Sequence, residues 1–320
     1  MPEASTVQCG EVINWIADGT YNKGDVIQVP DGRAGIVLQD VTSGNVVAVD
    51  VTRGAIYEVA KTTSMVILIG SRLFWDHSAN KAHLLYVNDR DFAIGCAQNE
   101  DLVGTATTIK VALNVEPVYN ASLAHGYASI PIQTAGFPSI GGGGSGMVNL
   151  ILQAANEAQK VDALGHRAVS AAGLAESIVD MLICVNDNGG ATAADANIGI
   201  SNGTHATDFD SVTQFIGVHL DGNDLKINLA SRDGTSTPVA ATDTTIAFAE
   251  GTPFLVQLDL RNLADVQCYV NGVLALPSSV FDIDAAGALK PVAHLEKTAA
   301  TDIYNFSAAV GIRSAQNMAA

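Results

Sequence analysis

The chain has 320 residues, of which 48% are hydrophobic and 15% are charged. Disordered chains show the opposite balance, so this composition predicts a chain that folds nearly throughout. A single hydrophobic core rarely grows beyond about 250–300 residues, and the length therefore predicts two domains. The formal net charge is −17, and the sequence contains no basic run. Binding to nucleic acid needs clustered Lys and Arg, so direct contact with nucleic acid is not expected.

Residues 1–19 are predicted to form an amino-terminal arm that carries Trp15. The turn signal Asp18-Gly19-Thr20 ends this arm. The arm could insert into a neighbouring subunit or fold over its own domain, and the sequence leaves both alternatives open. The first residues contain no basic segment followed by an apolar run, so no secretory signal is expected. The longest apolar run, 65–70, is too short to span a bilayer, and no contact with a membrane is expected.

Residues 20–116 have the pattern of short β-strands. Runs of β-branched, aliphatic and aromatic residues alternate with Gly, Asn and Asp, and no helical period persists over three turns. This pattern predicts a small barrel or sandwich. The predicted strands are 25–29, 34–38, 46–51, 55–59, 65–69, 72–75, 82–87, 92–97 and 107–113.

A boundary follows at 117–146, where Pro131 and Pro138 precede the run GGGGSG at 141–146. Gly and Ser stretches give the backbone high freedom, so this segment is predicted to be a linker. A phosphate-binding loop would need a following Lys and Ser or Thr, and Met147-Val148-Asn149 stand there instead.

Residues 147–320 are also predicted to be mainly β. Residues 177–185 form a long apolar run, and residues 215–220 and 225–229 flank a turn as a hairpin does. Alternation predicts another strand at 254–260. Residues 154–164 fit either one helix or irregular chain.

Six motifs in the first segment follow one another in the order found in a family of phage head-decoration proteins. The order of these short motifs, over about 95 residues, carries the resemblance. The matching stretches are Gly24-Asp25-Val26 and residues 35–41, 54–61, 70–76, 94–97 and 110–113. The segment therefore resembles capsid decoration, or cement, proteins.

This resemblance implies a small β-barrel that decorates and stabilises a phage capsid as a trimer. The expected partners are the major capsid protein and two further copies of the chain. The expected location is the outer surface of a virion assembled in the host cytoplasm. Phe74, Trp75 and Trp15 are the candidate residues for the barrel core or a subunit interface.

The second segment resembles laminin-G-like and lectin-like jelly rolls. The resemblance lies in the stretch 267–274, where Asn271-Gly272 separates two short apolar runs. It implies a jelly-roll β-sandwich that projects from the shell. The alternative function is attachment to host-surface carbohydrate through this domain.

Catalytic motifs are not found in the sequence. The strand pattern Glu-x-Asp-x-Glu, the elbow Gly-x-Ser-x-Gly and the zinc motif His-Glu-x-x-His are all missing. The sequence therefore predicts a structural protein that is not an enzyme and needs no cofactor.

Calcium is the one ion for which the sequence offers weak candidates. Asp187 and Asp195 share a loop rich in Gly and Ala, and Asp282 and Asp284 resemble half of a calcium loop. This half-loop has no oxygen side chain at its fifth position and no Glu at its twelfth. Asp and Asn also cap turns through their own backbone, and turn formation is the preferred interpretation.

Overall fold

The computed structural model describes residues 11–128, 138–142, 146–190, 194–204, 208–235, 238–301 and 303–315. The chain forms two compact units, Met1–Pro117 and Val118–Ala320. Within the described residues the strand pairs are antiparallel, and the one α-helix is the single turn α1, Ala171–Leu174. The predicted all-β class is confirmed. Among these residues, no helix is long and apolar enough to cross a bilayer.

The first unit contains two antiparallel sheets. Their strands are β1 Val12–Ile16, β2 Val26–Gln28, β3 Ala34–Val37, β4 Val46–Asp50, β5 Ile56–Ala60, β6 Arg72–Asp76, β7 Lys81–His83, β8 Phe92–Ala97 and β9 Thr108–Leu113. The four-stranded sheet has the order β1-β4-β3-β2, and the five-stranded sheet has the order β5-β9-β8-β6-β7.

These two sheets correct the expectation of a barrel. Closure requires every strand to pair on both of its edges. In the described part of the chain, β2 pairs with β3 alone and β7 pairs with β6 alone, so no closed barrel is found there. The first unit consists of two open sheets instead.

The predicted arm is also corrected. Residues 1–10 lie outside the described residues, and β1 pairs with β4 in a continuous register from Val12 opposite Asp50 to Ile16 opposite Val46. Trp15 lies opposite Val47 and packs partly against the valine-rich core of this sheet. The residues from 12 to 16 are therefore part of the first unit rather than a separate arm.

The second unit is a β-sandwich of jelly-roll type. Its strands are β10 Tyr119–Ser122, β11 Tyr127–Ala128, β12 Ser139–Gly142, β13 Val148–Ile151, β14 Gln159–Gly165, β15 Ser177–Asp187, β16 Ala194–Ser201, β17 Phe215–Asp221, β18 Lys226–Arg232, β19 Val239–Ala247, β20 Phe254–Asp259, β21 Gln267–Val270, β22 Val273–Ala275, β23 Lys290–Lys297 and β24 Asn305–Ser314. Short 3-10 turns occur at Leu123–His125 and Phe209–Ser211.

The strands of the second unit form two facing sheets. One sheet has the order β12-β13-β24-β15-β20-β21-β22, with β10 paired to β24, and the other has the order β11-β14-β23-β16-β17-β18-β19. One buried apolar cluster takes side chains from both sheets, such as Met181 from β15 and Val218 from β17. Burial of this cluster is the main force that holds the sandwich together.

The predicted linker at 117–146 is not a separate connection where the structure describes it. β10, β11 and β12 all come from this segment and pair with strands of the second unit. Residues 143–145 of the glycine run lie outside the described residues. Gly141 and Gly142 lie in β12, because backbone pairing with β13 needs no side chain. Residues 159–165, for which a helix was one alternative, form β14.

Strand β10 is fixed to β24 by the contact of an aromatic ring with a glycine. Tyr119 packs over Gly311, and a methyl group on Gly311 would overlap the ring. The Tyr119 hydroxyl also donates to Asp180 Oδ2 over 3.3 Å. The absence of a side chain at Gly311 therefore allows residues from the predicted linker to join the sheet.

We expect Gly311→Ala to lower the free energy of unfolding of the second unit by about 1–3 kcal/mol, because it overpacks this contact. Gly141→Ala is the matched control, since no atom lies within 4 Å of the added methyl group. Urea unfolding followed by far-ultraviolet circular dichroism measures both variants. Equal stability of the two variants would show that Tyr119 moves aside without cost.

Candidate functional site

A buried ion pair connects two segments of the first unit. Lys61 Nζ lies 2.9 Å from Asp101 Oδ2, and both side chains are buried. Lys61 also donates to the carbonyl oxygen of Thr62, while the N–H groups of Gly104 and Ala106 donate to Asp101. Every charge of the pair is thus compensated inside the protein, as a buried pair requires.

This ion pair holds a tip at 101–104 that exposes apolar side chains. Leu102 is 50% exposed and Val103 is 76% exposed. Gly104 has a φ of +72°, and a Cβ atom there would press against the backbone of Met65. The tip is consequently rigid and apolar, which suits a contact with another protein.

The three aromatic candidates occupy different environments in the first unit. Trp75 is buried, at 5% exposure. The ring of Phe74 lies 4.3 Å from that of Tyr86, with the guanidinium of Arg72 5.2 Å from its centre. The ring centres of Trp15 and Tyr21 are 5.4 Å apart. Core packing within the unit accounts for Trp75, and a role for any of the three in a subunit interface stays a prediction.

One face of the seven-stranded sheet in the second unit is polar. Register brings alternate residues of β14, β23, β16, β17 and β18 into rows on this face. Most members of these rows are buried despite their polarity. The buried members are Lys160, Asp162, Asn197, His219, Asn228, His294 and Glu296.

The centre of this polar face is closed by its own hydrogen bonds. Lys160 Nζ lies 2.6 Å from Asp162 Oδ2, and His294 Nε2 lies 3.0 Å from Glu296 Oε2. The N–H of Phe209 donates to Glu296 Oε1 over 3.0 Å, and the Phe209 ring packs on His294. The carboxylates of Asp162 and Glu296 are therefore both engaged by protein groups.

At its edge, the polar face carries a cluster of two aspartates and one histidine. Asp195, His219 and Asp221 each offer one ligand atom, and these atoms lie within 4.8 Å of one another. Asp195 stands opposite Asp221 in the pairing of β16 with β17. Local sequence patterns selected Asp195 alone from this cluster, because His219 and Asp221 come next to it only through the register of β16 with β17.

The remaining calcium candidates have turn roles. Asp187 accepts from the N–H of Gly189. Asp282 accepts from the N–H of Asp284, and both lie in a group with the buried Asp233. Asp233 in turn accepts from the N–H and hydroxyl of Thr235. These bonds agree with turn formation, and a calcium role for the four residues predicted from the sequence stays untested.

Residues 7–113 match the sequence model of a family described as phage cement protein. This match confirms the resemblance found in the motifs of the first segment. The match covers about a third of the chain and lies within the first unit. It indicates a capsid decoration role. The comparison with curated proteins finds no match.

The similar solved structures are distant, and the three described next cover between 54% and 58% of this chain. The Emp47p carbohydrate recognition domain has a TM-score of 0.39 and 11% identity, with 58% of this chain and 88% of that chain covered. The globular domain of T. cruzi calreticulin has a TM-score of 0.36 and 10% identity, with 58% and 84% covered. A glycoside hydrolase family protein from Mycobacterium thermorestibile has a TM-score of 0.36 and 8% identity, with 54% and 78% covered. These likenesses are too low to carry an argument about function.

We expect Asp101→Asn to destabilise the first unit by about 3–5 kcal/mol, because it leaves the buried charge of Lys61 uncompensated. Both tryptophans of the chain, Trp15 and Trp75, lie in this unit, so their fluorescence during urea unfolding reports on it. The exposed Asp89 offers the control Asp89→Asn. A loss of less than about 1 kcal/mol in Asp101→Asn would contradict the role of the pair.

The same pair predicts a dependence on pH. Burial by itself raises the pKa of Asp101, but the hydrogen bond from Lys61 and those from the backbone bring the pKa below its usual value. A depressed carboxyl pKa contributes stability above the unfolded value of about 4, and this stability is lost as the pH falls through the folded value. The difference between the native chain and Asp101→Asn should therefore shrink on acidification below about pH 4.

Proposed function

We propose that the protein is a capsid decoration protein that attaches to a phage shell through its first unit. The observation that carries this proposal is the match of residues 7–113 to the phage cement protein family. The net charge of −17 supports it, because an acidic coat keeps decorated particles apart and disfavours direct binding to nucleic acid.

The apolar tip at 101–104 is the proposed contact with the capsid. Leu102 and Val103 are exposed on a loop whose backbone is fixed by Lys61 and Asp101. A rigid loop loses little conformational entropy on binding, so its small apolar area is used efficiently. One such contact binds the capsid weakly. A homotrimer would present three tips to a symmetric shell, and its affinity for the capsid would be higher than that of a single chain.

The second unit is proposed to project from the outer surface of the shell. Attachment to carbohydrate through this unit is the alternative function, and its polar face is the observation in favour. However, the centre of that face is covered by Phe209 and engaged in internal bonds. Carbohydrate binding therefore ranks second, and the part of the face open to a sugar is its edge.

A binding experiment separates these two functions. The fragment Met1–Pro117 contains all the strands of the first unit and is expected to fold and to bind undecorated capsids with the same number of copies as the full chain. Cosedimentation measures the bound copies per shell, and analytical ultracentrifugation measures the association state. Loss of binding in a folded fragment would place the attachment site in the second unit and contradict the proposal.

A substitution in the tip tests the proposed contact. We expect Val103→Asp to lower capsid affinity by at least about tenfold, since it places a charge in an apolar interface. Val273 of β22 is 50% exposed in the second unit, and Val273→Asp is the matched control. Both variants should keep the melting temperature of the native chain. Equal capsid affinity of the two variants would exclude the tip.

A further inference from the structure

The pairing of β16 with β17 builds the cluster at the edge of the polar face. Asp195 lies opposite Asp221, and Asn197 lies opposite His219. Neighbours such as Ala196 and Leu220 point into the core. Because side chains alternate along a strand, Asp195, His219 and Asp221 share the opposite face. Their ligand atoms lie within 4.8 Å of one another, a distance that small side-chain rotations reduce to the spacing of ligands around one ion.

The surroundings of His219 point to a bound cation. Its Nδ1 lies 2.9 Å from Asn197 Oδ1, and its Nε2 lies 3.1 Å from Asp221 Oδ1. A neutral imidazole has one N–H and one lone pair. In the tautomer whose Nδ1–H donates to Asn197 Oδ1, the lone pair of Nε2 faces the carboxylate oxygen Asp221 Oδ1. Two electron pairs at this distance repel each other. A cation bound by both atoms removes the repulsion. An amide or carboxylate oxygen on the second nitrogen is the usual partner of a metal-binding histidine.

Asp195 supplies the second argument. No hydrogen bond to its carboxylate is formed within the described part of the chain, although the residue is partly buried. Of the two carboxylates of the site, those of Asp195 and Asp221, only that of Asp221 has hydrogen-bond partners among the described residues, and His219 is one of them.

Asn188 provides a further observation beside this cluster. It is bound to the turn that follows Asp221, since its carbonyl oxygen accepts from the N–H of Asn223 and its side-chain amide donates to the carbonyl oxygen of Asp224. Asn188 Oδ1 is buried and has no hydrogen-bond partner among the described residues. A buried oxygen without a partner indicates a water or an ion beside this turn.

We propose that Asp195, His219 and Asp221 bind a divalent transition-metal ion of the zinc class. One imidazole nitrogen and two carboxylates suit such an ion, whereas calcium takes six to eight oxygen ligands. Three protein ligands leave a fourth position for water or for a group of a bound molecule. The site differs from the calcium site expected at Asp187 and Asp195, because Asp195 takes its partners from the neighbouring strand. The ion joins β16 to β17 and stabilises the folded state by mass action.

The experiment uses the full chain after treatment with a chelator. Titration with Zn²⁺ in a calorimeter should show one saturable site, and Zn²⁺ should raise the melting temperature. Co²⁺ should give visible absorption bands that Zn²⁺ abolishes by displacement. Asp195→Asn and His219→Gln preserve side-chain size and should weaken Zn²⁺ binding by at least about tenfold.

Asp284→Asn is the matched control, because it removes a carboxylate from the separate group of Asp233, Asp282 and Asp284. This variant should bind Zn²⁺ as the native chain does. Circular dichroism without metal verifies that each variant is folded. The proposal is overturned if the native chain shows no saturable site, if Asp195→Asn and His219→Gln bind as tightly as Asp284→Asn, or if Ca²⁺ binds more tightly than Zn²⁺.

Discussion

The architecture of the second unit depends on the pairing of its last described strand, β24. Strands β10 and β13 share one edge of β24, and β15 occupies the other edge. The buried pair of Arg313 with Asp180, at 2.6 Å, joins β24 to β15, and the Tyr119 hydroxyl reaches the same carboxylate. Residues near 120 and 150 are therefore held in the sheet by residues near 310. Contacts between such distant residues must overcome a large loop-closure entropy, so the strands of this sheet form cooperatively.

This dependence explains which strands can be predicted locally. Apolar runs gave correct positions for β15 and β20, and the signal Asn271-Gly272 corresponds to a turn in which both residues have positive φ. The glycine-containing β12 has no apolar run and exists through its pairing with β13, so local composition indicated a linker.

The run 65–69 shows the opposite error, because its apolar residues predicted a strand that the structure does not contain. It is buried, yet it forms an isolated bridge from Ile67 to Asp101 rather than a strand, because burial alone does not require a sheet partner.

The same limit applies to the candidate sites. The pair Asp282 and Asp284 was visible as a local pattern, but the third member of its group, Asp233, comes from a distant turn. Asp195 was selected for its loop, whereas its neighbours His219 and Asp221 follow from the register of β16 with β17. The long connection between these two strands does not fix that register in the way that a two-residue turn does. Alternation can assign each residue to a face, but only the register determines which residues meet on it.

In the first unit, the buried ion pair of Lys61 and Asp101 fixes the position of a loop, although burying its two charges costs free energy. Burying Lys61 and Asp101 together contributes little net stability compared with apolar packing, but the directed bonds of the pair fix the backbone around Leu102 and Val103. A decoration protein must stay soluble before assembly and adhere afterwards. Strong negative charge meets the first requirement, since it opposes association through any large apolar surface. In the proposed function the small rigid tip would meet the second, because many symmetric copies on a shell would add contacts that are individually too weak to cause aggregation in solution.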